Sequence, residues 1–245
     1  MWKGGCFMQN YDENINQNNE EYNNVIIDKS TENKIFGKTF FWMFLGLLGS
    51  AIVAAYTYYS GLIVNIVVGG SWGALLVLEL AVVIIFSLCF RKLSPTAVGI
   101  LYFLYSMING VTLCTIFAVY ELNSIISLFV VSALIFAALG YIGYKTDKDL
   151  SSWGTYITVF LIAGLILSIL NLFIFKSTGL DLILDWIILA VFLGVTVYDT
   201  NKIKVLENDP SIDTNKVHIY CAMQLYLDFI NIFLRILSIF GKRRD

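Results

Sequence analysis

Seven stretches of this chain run for about twenty residues with almost no charge, and that feature restricts the fold more than any other. A helix rises about 1.5 Å per residue, so about 20 apolar residues carry it across the hydrocarbon core of a bilayer. The stretches lie at about residues 39–60, 71–90, 95–120, 122–144, 153–175, 182–202 and 217–240. Their apolar residues are continuous rather than alternating, so they read as helices and not as strands of a barrel. Of the 245 residues only 14% are charged and 58% are hydrophobic, with a mean hydropathy of +0.76. A soluble domain carries roughly a quarter charged residues. The pattern predicts an all-α integral membrane protein of seven transmembrane helices, without room for a separate soluble catalytic domain.

The breaks between the stretches carry turn chemistry. Residues 61–70, interrupted by Asn65 and Gly69-Gly70, read as a short connection, and Ser94-Pro95 opens the third helix, proline being well tolerated in a first turn. Residues 204–216 form the longest loop, with Asp209-Pro210 as its turn signal. Residues 1–35 are different material, rich in Asn, Glu and Asp. Such a segment cannot bury enough surface to offset its ordering entropy. The domain division is therefore a disordered polar tail over 1–35 and a transmembrane domain over 36–245. Cys6, Cys89, Cys114 and Cys221 are far apart and form no C-x-x-C pair, which argues against a zinc site or disulfide framework. A net charge of −2 offers nucleic acid no basic surface. No cofactor and no nucleic-acid partner are expected; the expected surroundings are the lipid bilayer.

Basic residues set the orientation. Lys34, Lys38, Arg91, Lys92, Lys145, Lys148, Lys202, Lys204 and Lys216 fall on one side, and the opposite loops offer only Lys176. The amino terminus is thus expected in the cytoplasm. Lys242-Arg243-Arg244 conflicts with this, because seven crossings put it outside. Either the earlier helices overrule that cluster or the last helix does not fully cross.

A charge at the bilayer centre costs about 2.5–3.5 kcal/mol on insertion scales, which makes each intramembrane acid a candidate functional residue. Glu79 lies near the middle of the second helix, Asp199 near the end of the sixth, and Asp228 about three turns into the seventh. Asp185 falls in the first turn of the sixth and reads as an ordinary helix-start acid. The sixth and seventh helices are antiparallel neighbours, so Asp199 and Asp228 can meet on facing surfaces. Two carboxyls in low dielectric cannot both ionise cheaply and share a proton. When deprotonated they form a hard oxygen site suited to Ca²⁺. On spacing alone a purely structural role, each acid bonding a neighbouring helix, carries equal weight. Gln224, Asn231 and Arg235 share the face of Asp228. Arg235 is expected to snorkel to the interface, His218 to be interfacial, and Trp42, Trp72, Trp153 and Trp186 to form an aromatic belt.

Four motifs, in order, carry a resemblance to a known family: Asn109-Gly110-Val111-Thr112-Leu113; Gly140-Tyr141-Ile142-Gly143-Tyr144-Lys145-Thr146 followed by Lys148-Asp149-Leu150-Ser151; Tyr198-Asp199-Thr200-Asn201-Lys202-Ile203; and Leu225-Tyr226-Leu227-Asp228-Phe229-Ile230-Asn231. They resemble the Bax inhibitor-1 family, the transmembrane Bax inhibitor motif proteins, over about residues 36–241. The resemblance implies a central last helix wrapped by six others. It also implies a pH-sensitive Ca²⁺ leak gated by a di-aspartyl sensor matching Asp199 and Asp228, with Glu79 as a pathway acid. The family's basic latch residue usually falls near Cys89 or Phe90; here Arg91 is the nearest candidate. The alternative is a non-transporting regulator that binds other membrane proteins, in cell-death suppression or membrane quality control. An intramembrane aspartyl protease is remote, because the second acid follows Leu-Tyr-Leu rather than Gly-x-Gly and no Pro-Ala-Leu occurs. The expected setting is a bacterial cell membrane, with no enzymatic activity.

Overall fold

The computed structural model describes residues 34–244, apart from 147, 149, 151 and 208–211. Each apolar stretch forms helix: α1 (Lys34–Tyr59), α2 (Leu62–Val68), α3 (Ser71–Cys89), α4 (Pro95–Leu113), α5 (Thr115–Val119), α6 (Leu122–Lys145), α7 (Trp153–Leu170, continued by a π-helical turn over Asn171–Phe175), α8 (Thr178–Glu207) and α9 (Thr214–Phe240). Six helical stretches are long and apolar enough to cross a membrane, α4 and α5 together making one, and α3 adds a shorter apolar helix. The outward faces are apolar: Leu88 is 76% and Leu134 68% exposed. A surface that oily is stable against lipid and not against water.

The most enclosed helix is α9. It touches α1 through His218 on the Trp42 ring, α3 through Tyr220 stacked on Phe86 and Phe90, and α6 through Phe229 and Phe233. It meets α4 through the Tyr226 hydroxyl, which donates to Asn109 Oδ1 (2.9 Å), and α8 through Arg235. The expected central last helix is present.

Small residues let the surrounding helices close on one another, as in other membrane bundles. A Cβ added at Gly143 of α6 would lie 2.5 Å from the Val197 carbonyl oxygen and 2.8 Å from Thr200 Cβ on α8. At Gly110 of α4 it would lie 2.6 Å from the Ser50 carbonyl of α1.

Several boundaries depart from expectation. The segment 61–70 is not merely a connection: left-handed Gly61 (φ 76°) and Gly70 (φ 71°) bracket the apolar helix α2. The third crossing is interrupted at Cys114, where the Thr115 hydroxyl donates to the Thr112 carbonyl three residues back. Such bonds compete with the helical ladder. Both α8 and α9 extend into the supposed 204–216 loop, and the Asp209-Pro210 turn lies outside the described residues. Of the expected tail, residues 1–33 lie outside the described residues, whereas Lys34 and the buried Ile35 open α1.

The last helix spans the bundle. At one end the Phe36 ring of α1 meets Tyr144 of α6 (4.6 Å between centroids), and farther along α1 Trp42 meets His218 near the start of α9. At the other end Arg243 pairs antiparallel with Tyr120, Lys242 forms an ion pair with Glu121 (2.6 Å), and Arg244 donates to the Tyr58 hydroxyl. The terminal basic cluster therefore sits at the end of the bundle opposite Lys34.

Candidate functional site: a carboxylate pair between the last two helices

Successive side chains of the Tyr198-Asp199-Thr200-Asn201-Lys202 segment radiate from α8 to different neighbours. Tyr198 covers Gly154 of α7, where an added Cβ would sit 2.6 Å from the phenol oxygen. Thr200 packs on Gly143 of α6. Asn201 donates to the Thr146 carbonyl (2.6 Å), satisfying an open carbonyl at the end of α6. Asp199 and Lys202, less than a turn apart, share the face left over. With Tyr198 and Gln224 of α9 they line an open cavity of about 580 Å³ against α7.

Asp228 faces this corner from α9. It is 3% exposed and Asp199 9%. Asp228 lies within electrostatic reach of both Asp199 and Lys202, and its Oδ2 is buried without a hydrogen-bond partner among the described residues. The pair of acids thus lies within electrostatic reach of one another. Lys202 makes it a cluster of three charged groups, with its Nζ 5.6 Å over the Tyr198 ring. The sequence signal for Lys202 is its spacing of less than a turn from Asp199.

Glu79 belongs to a different network. Its Oε1 accepts from Thr112 Oγ1 (2.7 Å) and Asn109 Nδ2 (3.5 Å), and Asn109 in turn accepts from Tyr226. Tyr226 and Asp228 are two residues apart and project to different sides of α9. The central helix therefore carries a polar group toward α3 and α4 and another toward α8, at nearly one depth. Arg91 lies in the turn after α3 with an exposed side chain. The group that reaches across from α9 is Lys216: its Nζ donates to the carbonyls of Phe90 (3.2 Å), Arg91 (2.9 Å) and Leu93 (3.0 Å) and rests over the Phe90 ring. Nothing in the sequence marked Lys216 for this, since its partners are backbone atoms more than 120 residues away.

Three expectations are corrected. Arg235 does not snorkel; its Nη1 pairs with Asp185 Oδ1 at 2.6 Å, and Ser238 donates to Oδ2. Asp185 is accordingly no bland helix-start acid but 7% exposed, an ionic bond between α8 and α9. Trp42 is not simply part of a belt either, since it packs on Tyr102, Phe103 and His218.

Residues 32–245 match the family described as inhibitor of apoptosis-promoting Bax1. The chain is 40% identical over 209 residues to the inner membrane protein YbhL of Escherichia coli strain K12, covering 83% of this chain and 89% of that one. It is 34% identical over 220 residues to an uncharacterized protein of Borreliella burgdorferi (87% and 94% covered). It is 31% identical over 211 residues to the uncharacterized protein RP147 of Rickettsia prowazekii (85% and 89%). These matches span the whole helical bundle with its four motifs, and this multi-pass membrane protein belongs to the Bax inhibitor-1 family.

Proposed function

We propose that the protein is a pH-sensitive calcium leak of a bacterial cell membrane, with its amino terminus in the cytoplasm, gated by Asp199 and Asp228. The observation that carries this reading is Asp228 itself: a buried carboxyl on the central helix, facing Asp199 and Lys202, with one oxygen that has no hydrogen-bond partner among the described residues. Two carboxyls so placed hold one proton in common at low pH. As pH rises the proton leaves and the like charges repel, Lys202 offsetting only one of them. The repulsion acts between α8 and α9, the helix on which most of the others pack.

Calcium would be the permeant ion rather than a resident one. Ca²⁺ takes about 6–8 oxygen ligands, whereas two carboxylates offer fewer and a lysine competes for them. Among the described residues no group of three or more His, Cys, Asp or Glu side chains could hold a metal. A site of this kind would meet the ion weakly and release it, as conduction requires. Glu79 is assigned as a second acid on the pathway, and no catalytic role is assigned to any residue.

The test is Ca²⁺ entry into proteoliposomes over about pH 5 to 8, where a shared carboxylate proton would be felt. Asp199→Asn and Asp228→Asn should each abolish the pH dependence, and the double variant should add little, because coupled groups are not additive. If both single variants keep the wild-type profile, the sensor assignment fails. If the wild-type protein passes no Ca²⁺ at any pH, the leak reading fails in favour of a non-transporting regulator.

A further inference from the structure

The cavity beside Asp199 is one of two along a single seam. A second, of about 440 Å³, lies farther along between α7 and α8, and Leu161 of α7 lines both. The walls repeat with helical spacing. On α7, Gly154, Leu161 and Ser168 form one stripe at intervals of seven. On α9, Gln224 lines the first cavity, Asn231 and Arg235 line the second, and Asp228 stands between them on the same face.

This face of α9 carries two buried polar atoms without hydrogen-bond partners among the described residues, Asp228 Oδ2 and Arg235 Nε. Buried polar atoms are costly unless they are bonded or reached by water. Arg235 would repel a cation if it stood alone, but Asp185 neutralises it. The outer wall of the seam is also the helix least held by the rest: 12% of the α7 span is buried inside the bundle, against 56% for α9.

We propose that the seam between α7, α8 and α9 is a water-lined ion path, with Asp199 and Asp228 on one side of its constriction and Leu161 as the hydrophobic plug dividing its two halves. The proposal rests on the calcium-leak reading for its cargo and names the route that reading leaves open. A ring of apolar groups between two wet spaces blocks ions by staying dry, and a small outward displacement of α7 would wet it.

Cysteine accessibility in membrane vesicles tests the route without reference to calcium. In the full chain with Cys6, Cys89, Cys114 and Cys221 replaced by Ala, single cysteines are placed at Ile157, Ser168 and Asn231 on the seam. Controls are placed at Ile162 and Ile166, which face away from it and are exposed. A methanethiosulfonate bearing a trimethylammonium group reacts with the thiolate, which forms in water. The seam cysteines should label and the controls should not. With the plug in place Ile157→Cys should label from the Lys34 end and Ser168→Cys only from the opposite end. Adding Leu161→Ser should let Ser168→Cys label from both, and Leu161→Trp should not. Seam cysteines as inert as the controls overturn the path, and a Leu161→Ser variant that leaves sidedness unchanged overturns the plug. A labelled seam without Ca²⁺ flux supports the path and overturns the calcium reading alone. Flux with an inert seam overturns the path alone.

Discussion

Lys216 replaces solvent for the carbonyls of the turn that follows α3. A helix leaves its final carbonyls unbonded, and here one ammonium group collects three from the turn just after it. Its charge suits that end of the helix dipole. Lys216→Met keeps most of the apolar stem and removes the donors. Each hydrogen bond to a charged group contributes about 1.5–3 kcal/mol, and water will take over part of that at this end of the bundle. The expected loss is about 2–3 kcal/mol of stability, read as a lower thermal midpoint in detergent. Faster amide exchange at residues 90–93 should accompany it, while exchange at Ala222 and Met223 in mid-α9 stays slow. Uniform acceleration along both helices would refute a local clamp. The lysine illustrates what a sequence hides: its composition class suggests a surface charge, and only the fold brings the carbonyls to it. Asp185 and Arg235 are similar, each ordinary on its own helix and paired across fifty residues. Asp199 and Asp228 were legible because an acid inside an apolar run is expensive wherever the chain goes.

Helices here are held by how closely their backbones approach. Gly143 and Gly194 are both helical glycines, yet an alanine methyl at Gly143 would meet the Val197 carbonyl and Thr200, while at Gly194 nothing lies within 4 Å. Gly143→Ala should therefore separate α6 from α8 and cost about 1–3 kcal/mol, the usual range for overpacking. Gly194→Ala should be neutral or stabilise by up to about 1 kcal/mol through helix propensity. Thermal unfolding of the two variants side by side decides the matter; equal effects would mean that the close approach is unimportant. Element identity was readable from apolar length alone, because a bilayer leaves a long uncharged run little alternative to a helix. Boundaries were less so. Capping of α6 by Asn201 and the bracketing of α2 by Gly61 and Gly70 depend on neighbours and backbone angles that a hydropathy pattern does not contain.

For the molecule as a whole, the sides of the membrane follow from its basic residues. Those at the Lys34 end outnumber those in the opposite loops, and the terminal cluster at the far end is held by Glu121, Tyr120 and Tyr58. By the positive-inside rule, the orientation proposed above puts the Lys34 end in the cytoplasm. In intact cells a cysteine at Thr178, exposed in the loop-side first turn of α8, should react with an impermeant thiol reagent, and one at the exposed Lys148 should not. The reverse pattern would invert the orientation. The all-helical plan and central last helix agree with what the four motifs implied, and the seam beside α7 did not, since it arises from stripes on three helices whose mutual facing no single motif records.

The clamp at Lys216 also sets an order in time. Phe90 leaves the ribosome 126 residues before the lysine that binds its carbonyl, which at about 5–20 residues per second is a wait of roughly 6–25 s. The clip onto Tyr120 and Glu121 comes later still, since Lys242 and Arg243 follow α9. Until then the nascent bundle has no central post, Asn109 lacks the Tyr226 hydroxyl, and both fastenings of α9 are open. The bundle thus closes at its centre only once α9 has been made.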